Sequence, residues 1–236
     1  MSRNQSADLQ QPLAFDDLES RVMLAGDVDV VLSGGNLIIT GDPTDNSIEI
    51  NGFDNDRIVI SGLDGTTINR GEANGSINID GDKLNNIEIR MRAGRDEVYI
   101  QNNAGDKIKL DGSLIFRGGR DDDRLEVGFD NELKAKSIDA NGGDDRDQLV
   151  FGREVETDDG NSIIQGGRGD DSIQIQGAKF EGALRVLGDS GDDEISLIGV
   201  EVEDGRATLS GGGGNDTLIN SRNDFEDGLT VSDFED

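Results

Sequence analysis

Asp96, Asp123, Asp147, Asp171, Asp193 and Asp216 recur along the chain at intervals of 27, 24, 24, 22 and 23 residues. Each closes a glycine-rich hexapeptide. The segments GGRDDD from Gly118, GGDDRD from Gly142, GGRGDD from Gly166, GDSGDD from Gly188 and GGGGND from Gly211 align without gaps. MRAGRD from Met91 is a degenerate copy, and a weaker one surrounds Asn46 in GDPTDNSIEI. Carboxylates combined with turn carbonyls make an oxygen-only donor set, which suits calcium better than any softer metal. Composition narrows the chemistry further. With no histidine and no cysteine, the chain has neither the usual proton shuttle nor thiolate sites nor disulfides, so zinc chemistry and Ser-His-Asp catalysis are excluded. Twenty-two Lys and Arg against 51 Asp and Glu give a net charge of −29. Such a field repels phosphate backbones and anionic headgroups and attracts divalent cations, so neither nucleic acid nor a membrane is an expected partner.

The elements that position these aspartates are strands. After each Asp the apolar residues alternate, as Val98 and Ile100, Leu125 and Val127, Leu149 and Phe151, Ile173 and Ile175, Ile195 and Leu197. A second alternating pair precedes each glycine turn, as Ile87 and Ile89, Leu114 and Phe116, Ile138 and Ala140, Leu184 and Val186, Ala207 and Leu209. Period two is the signature of a strand with one face buried. A repeat of roughly 24 residues cannot bury its core alone, so coils of two or three short strands must stack on their neighbours. The expected fold is an all-β parallel β-solenoid over residues 28–236, with about eight coils of 22–27 residues and a length on the order of 40 Å at ~4.8 Å per coil. Residues 1–27 carry few glycines, and Phe15, Leu18, Val22 and Met23 have the spacing of a short helix. That segment is expected to form a helical or irregular cap, and it lacks the pattern of a signal peptide.

Stacking sets the electrostatic problem. Carboxylates about 4.8 Å apart at an effective dielectric near 20 repel by roughly 3.5 kcal/mol per adjacent pair, so something must compensate. One device is sign alternation between coils: the fifth positions read Arg95, Asp122, Arg146, Asp170, and the third positions Arg120, Asp144, Arg168. Those are candidate cross-coil ion pairs. The alternation stops towards the C-terminus, where the third positions become Ser190 and Gly213 and the fifth become Asp192 and Asn215. No arginine remains there to neutralise Asp192, Asp193 and Asp216. The last turns, with Asp170 and Asp171 on their upstream side, are therefore the expected calcium sites, with Asp123 and Asp147 as weaker candidates. The alternative is that each Asp caps backbone N–H groups in a turn and binds no ion.

GGRGDDSIQ and GGGGNDTLI resemble the nonapeptide G-G-x-G-x-D-x-U-x of hemolysin-type (RTX) calcium-binding proteins. The resemblance implies turn-forming roles for Gly166, Gly167, Gly169, Gly191, Gly211, Gly212 and Gly214 and calcium at the sixth-position Asp. In that family the nonapeptide runs in tandem, whereas here it recurs once per 22–27 residues. The coil is larger, and looks more like the right-handed β-helix of pectate-lyase-like proteins with one RTX-like corner. Leu18–Leu24, LESRVML, resembles the N-terminal LEPR-x-L-L element of secreted planctomycete-type bacterial proteins, which implies export. The expected function is that of a calcium-binding structural, matrix or adhesion protein at the bacterial surface, with glycans or matrix as partners and end-to-end filaments as a possible assembly. The rival is a β-helix lyase or hydrolase of acidic polysaccharides, with Arg153, Arg185 and Arg206 lining a groove. Near-uniform turn lengths, with no long insertion to wall a cleft, argue against an enzyme.

Overall fold

A computed structural model describes residues 26–53, 57–80, 84–102, 107–128 and 132–235. The apolar alternation becomes three parallel sheets wrapped around one core. The first face stacks Asn36–Thr40, Asn86–Ala93, Ser113–Arg120, Ser137–Asp144, Ser162–Arg168, Leu184–Ser190, Ala207–Gly213 and Leu229–Ser232. The second stacks Ser47–Phe53, Glu97–Asn102, Arg124–Val127, Gln148–Phe151, Ser172–Gln176, Glu194–Ile198 and Thr217–Ser221. The third is made of shorter strands, from Lys107–Lys109 through Glu132–Ala135, Val155–Thr157, Lys179–Phe180 and Glu201–Val202 to Asp224–Phe225. Parallel neighbours hold a constant register, in which Leu125 pairs with Leu149, Leu149 with Ile173 and Ile173 with Ile195. Every apolar residue named above as an alternating pair is buried. Size is matched between adjacent coils, since Phe116 stacks on Ala140 rather than on a second large ring.

The chain is thus an all-β parallel solenoid, and among the described residues it contains no helix. Its complete three-strand turns number about six, not eight. The difference lies at the N-terminal end. Asp27–Ser33 folds back antiparallel on Asn36–Thr40, through a turn at Gly34 and Gly35 whose φ angles of 58° and 82° suit a tight hairpin. Arg57–Leu63 lies antiparallel on Ser47–Phe53, and Ser76–Asp80 lies antiparallel on Arg57–Leu63. Residues expected to form two further coils instead cover the open edges of the first and second sheets, which would otherwise present unpaired N–H and C=O groups. The expected helical cap within residues 1–27 falls, but for Gly26 and Asp27, outside the described residues.

Candidate functional site

The glycine corner joins the first face to the second, and its close stacking dictates its residue types. At the second position, Gly119, Gly143, Gly167 and Gly212 have φ between 110° and 130°. A Cβ on Gly143 would lie 2.2 Å from the carbonyl oxygen of Gly119 in the coil beneath, and one on Gly167 would lie 2.2 Å from that of Gly143. The first-position glycines answer to a different neighbour. A Cβ on Gly142, Gly166 or Gly188 would come within 2.3–2.4 Å of Oδ2 of Asp147, Asp171 or Asp193 in the same turn. The glycine therefore makes the space that the sixth-position carboxyl fills.

That carboxyl is buried. Asp96, Asp123, Asp147, Asp171, Asp193 and Asp216 are each no more than 3% exposed, and Asn46 continues the column at 1%. Each Oδ1 accepts a hydrogen bond from the backbone N–H of the equivalent residue one coil earlier. Asn46 N donates to Asp96 at 2.7 Å, Asp96 N to Asp123 at 2.9 Å, Asp123 N to Asp147 at 2.8 Å, Asp147 N to Asp171 at 2.8 Å, Asp171 N to Asp193 at 2.8 Å and Asp193 N to Asp216 at 2.9 Å. The Asp216 N–H in turn donates to Glu235. The result is a ladder in which side chains bond one coil to the next. Every Oδ2, from Asp96 to Asp216, is buried with no hydrogen-bond partner.

Burial disfavours the charged form. It raises Asp96 and Asp171 to about 7, Asp123 to about 8, Asp147 to about 9 and Asp193 to about 6, against the partial relief of the N–H bond each Oδ1 accepts. Neighbouring carboxylates add to the rise. Asp147 is faced by Asp171, Asp123 and Asp122, and Asp171 by Asp193, Asp170 and Asp189.

The RTX resemblance implies calcium at this corner, and the donor geometry does not fit it. Calcium takes six to eight oxygens at ~2.3–2.6 Å. In the ladder one oxygen of each carboxyl is committed to backbone N–H, and from Asp123 to Asp216 the other is packed against the first-position glycine. One oxygen of each of four exposed turn carboxylates is committed too. Asp170 Oδ1 accepts from Asp192 N at 2.9 Å, and Asp192 Oδ1 accepts from Asn215 N at 2.9 Å. Asp122 Oδ1 accepts from Arg146 N at 3.1 Å, and Asp145 Oδ2 from Asp121 N at 3.2 Å. Both aspartate columns thus cap backbone N–H groups across coils, the role the sequence left open as the alternative to ion binding. The glycines Gly166, Gly167, Gly169, Gly191, Gly211, Gly212 and Gly214 all lie at the corner, where Gly169, Gly191 and Gly214 take φ of 119°, 133° and 148°. Two of the expected cross-coil ion pairs are present, Arg168 with Asp144 at 3.3 Å and Arg146 with Asp170 at 3.7 Å.

Two features were not singled out from the sequence. On the third face, Glu156, Asp158 and Glu181 form the one group of three acidic residues among those described whose ligand oxygens lie within 4.8 Å of one another. The ammonium of Lys134 pairs with two of its members, 3.0 Å from Glu156 and 2.9 Å from Asp158, and these bonds hold Lys134 above its ordinary range. The signal was the register itself, since Lys134 stacks on Glu156 and Glu156 on Lys179. Lys134→Ala is expected to lower stability by at most about 1 kcal/mol in low salt. Thermal melts at two ionic strengths check this, and the difference from the parent should shrink at high salt. The second feature is a shallow groove of about 630 Å³ beside the corner, lined by Arg92, Arg120, Asn141 and Arg168 among others. Arg92 holds the left-handed conformation (φ 83°) where the other coils place mostly glycine. Arg153, Arg185 and Arg206 lie outside its lining.

Fold and corner together define a parallel β-solenoid with a buried acidic ladder. Compared with known proteins, the chain matches no family model, no curated protein and no solved structure.

Proposed function

We propose that the chain is a structural or adhesive rod that works outside the cytoplasm. The observation supporting this is the uninterrupted stack of about six turns in constant register around a single apolar core. A solenoid built this way offers length and a repeating surface, and among the described residues its turns carry no long loops of the kind that position catalytic groups. Six turns rise roughly 30 Å at ~4.8 Å each. Export in this reading is directed by the Leu18–Leu24 element. Copies associate through the end where Thr217–Ser221, Asp224–Phe225 and Leu229–Ser232 each pair on one side only, and where Ile219 and Val231 are more than 40% exposed. At the other end, antiparallel strands cover the first and second sheets.

Small-angle scattering and sedimentation across a concentration series test the reading. The expected result is an elongated particle whose dimensions and β-sheet circular dichroism are unchanged by chelator, with association that Val231→Lys abolishes. A compact particle, or one that unfolds on chelation, would overturn the rod as described. The arginine groove favours a second reading, in which the chain acts on acidic polysaccharides. Cleavage of a polyuronate, lost in an Arg120→Ala variant, would establish it, and polyuronate binding without cleavage would assign the groove to adhesion.

A further inference from the structure

The RTX-like pattern leads one to expect a cation at the sixth-position aspartates, and the geometry there asks for a different positive species. We propose that the column binds protons: near neutral pH Asp123 and Asp147, at its centre, stand as neutral carboxylic acids, and the proton takes the place that calcium would hold in an RTX turn. Four structural observations carry this. The carboxyls are almost fully buried. From Asp123 to Asp216 each Oδ2 lies against the first-position glycine of its turn, and no Oδ2 of the column has a donor to stabilise an anion. No Lys or Arg is paired with any member of the column among the described residues; the cations of the corner, Arg146 and Arg168, reach Asp170 and Asp144 instead. Finally, Asn46 occupies the same position in the first coil and donates to Asp96 Oδ1 through its backbone N–H and its Nδ2, so the column accommodates an uncharged member.

The charged groups that act most strongly on the column are acidic. Asp42 and Asp45 face Asp96; Asp96, Asp121 and Asp122 face Asp123; Asp122, Asp123 and Asp171 face Asp147. Asp170, Asp189 and Asp193 face Asp171; Asp170, Asp189 and Asp216 face Asp193; Glu235 meets Asp216. Ionising any one member therefore adds a buried charge beside others of its own sign. Folding raises the proton affinity of Asp96, Asp123, Asp147, Asp171 and Asp193, so above about pH 4 the folded chain holds protons that the unfolded chain has released. Their contribution to stability is complete below that pH. It is lost as pH rises through the folded values of about 6 to 9.

Infrared spectroscopy and thermal melts test the proposal. At pH 7 the parent should show the carbonyl stretch of protonated carboxylic acids, disappearing as pH rises to 10. Its Tm should fall by roughly 5–10 °C between pH 6 and pH 9.5. Asp147→Asn should flatten that fall, while Asp227→Asn, at an exposed position, should leave it unchanged. A parent with no carboxylic-acid band at pH 7 would overturn the proposal, and this measurement needs no variant to fold. It would also be overturned if calcium abolished the band and raised Tm, because the column would then be an ion site.

Discussion

Gly143→Ala is expected to destabilise the fold by about 3 kcal/mol or more, whereas Gly213→Ala, one coil position further round the corner, should change stability by no more than about 0.5 kcal/mol. Two costs coincide at Gly143. Its φ of 130° is one that residues with a side chain rarely adopt, and its Cβ would stand 2.2 Å from Gly119 O, nearest to backbone that cannot rotate away. Relief would require the coils to part, which would stretch the ladder bond from Asp123 N to Asp147 at the same interface. At Gly213 a Cβ meets nothing within 4 Å. Urea denaturation of both variants against the parent measures the contrast, and equal losses would show that glycine at this corner serves only general flexibility.

The second large effect belongs to the core. Phe151→Ala should cost about 3–5 kcal/mol, because Phe151 is fully buried and its register neighbours, Val127 below and Ile175 above, are too small to fill the space a ring leaves. The same change at Phe225, which is only partly buried near the end of the stack, should cost less than half as much. Coils bond only to their neighbours, so a void midway along the rod should also split its unfolding. Melts followed by circular dichroism and by calorimetry are expected to diverge for Phe151→Ala and to coincide for Phe225→Ala.

The parallel stack was legible because two signals share one period. Glycine-to-aspartate turns recur with apolar pairs on either side, and no helical arrangement places Val98, Leu125, Leu149, Ile173 and Ile195 in one line. The antiparallel cap was not legible. Ile58 and Ile60 follow Asp56 in NGFDND and alternate as any coil strand would, and alternation does not distinguish a parallel partner from an antiparallel one. The ladder was half legible. Spacing predicted the column of Asp123, Asp147, Asp171, Asp193 and Asp216 correctly, but not the direction of its carboxyls. An aspartate facing an ion between turns and one folded inward over a glycine leave the same sequence pattern. What separates them is which atom each oxygen meets, and Asn46, a poor substitute for an anionic ligand but a good hydrogen-bond acceptor, was the one sequence hint.

The ladder also has a mechanical side. Strands in this molecule run across the rod, so its inter-coil hydrogen bonds point along the axis, backbone to backbone and backbone to Oδ1 alike. A pull along the axis therefore loads hydrogen bonds rather than covalent chain, and it loads all those of one interface together. Each interface of the regular stack carries at least one bond that the backbone alone would not supply, from an aspartate held between a glycine and the coil below. Tensile strength is then set by the weakest junction between turns, and the aspartate column acts as a rivet repeated at every one of them.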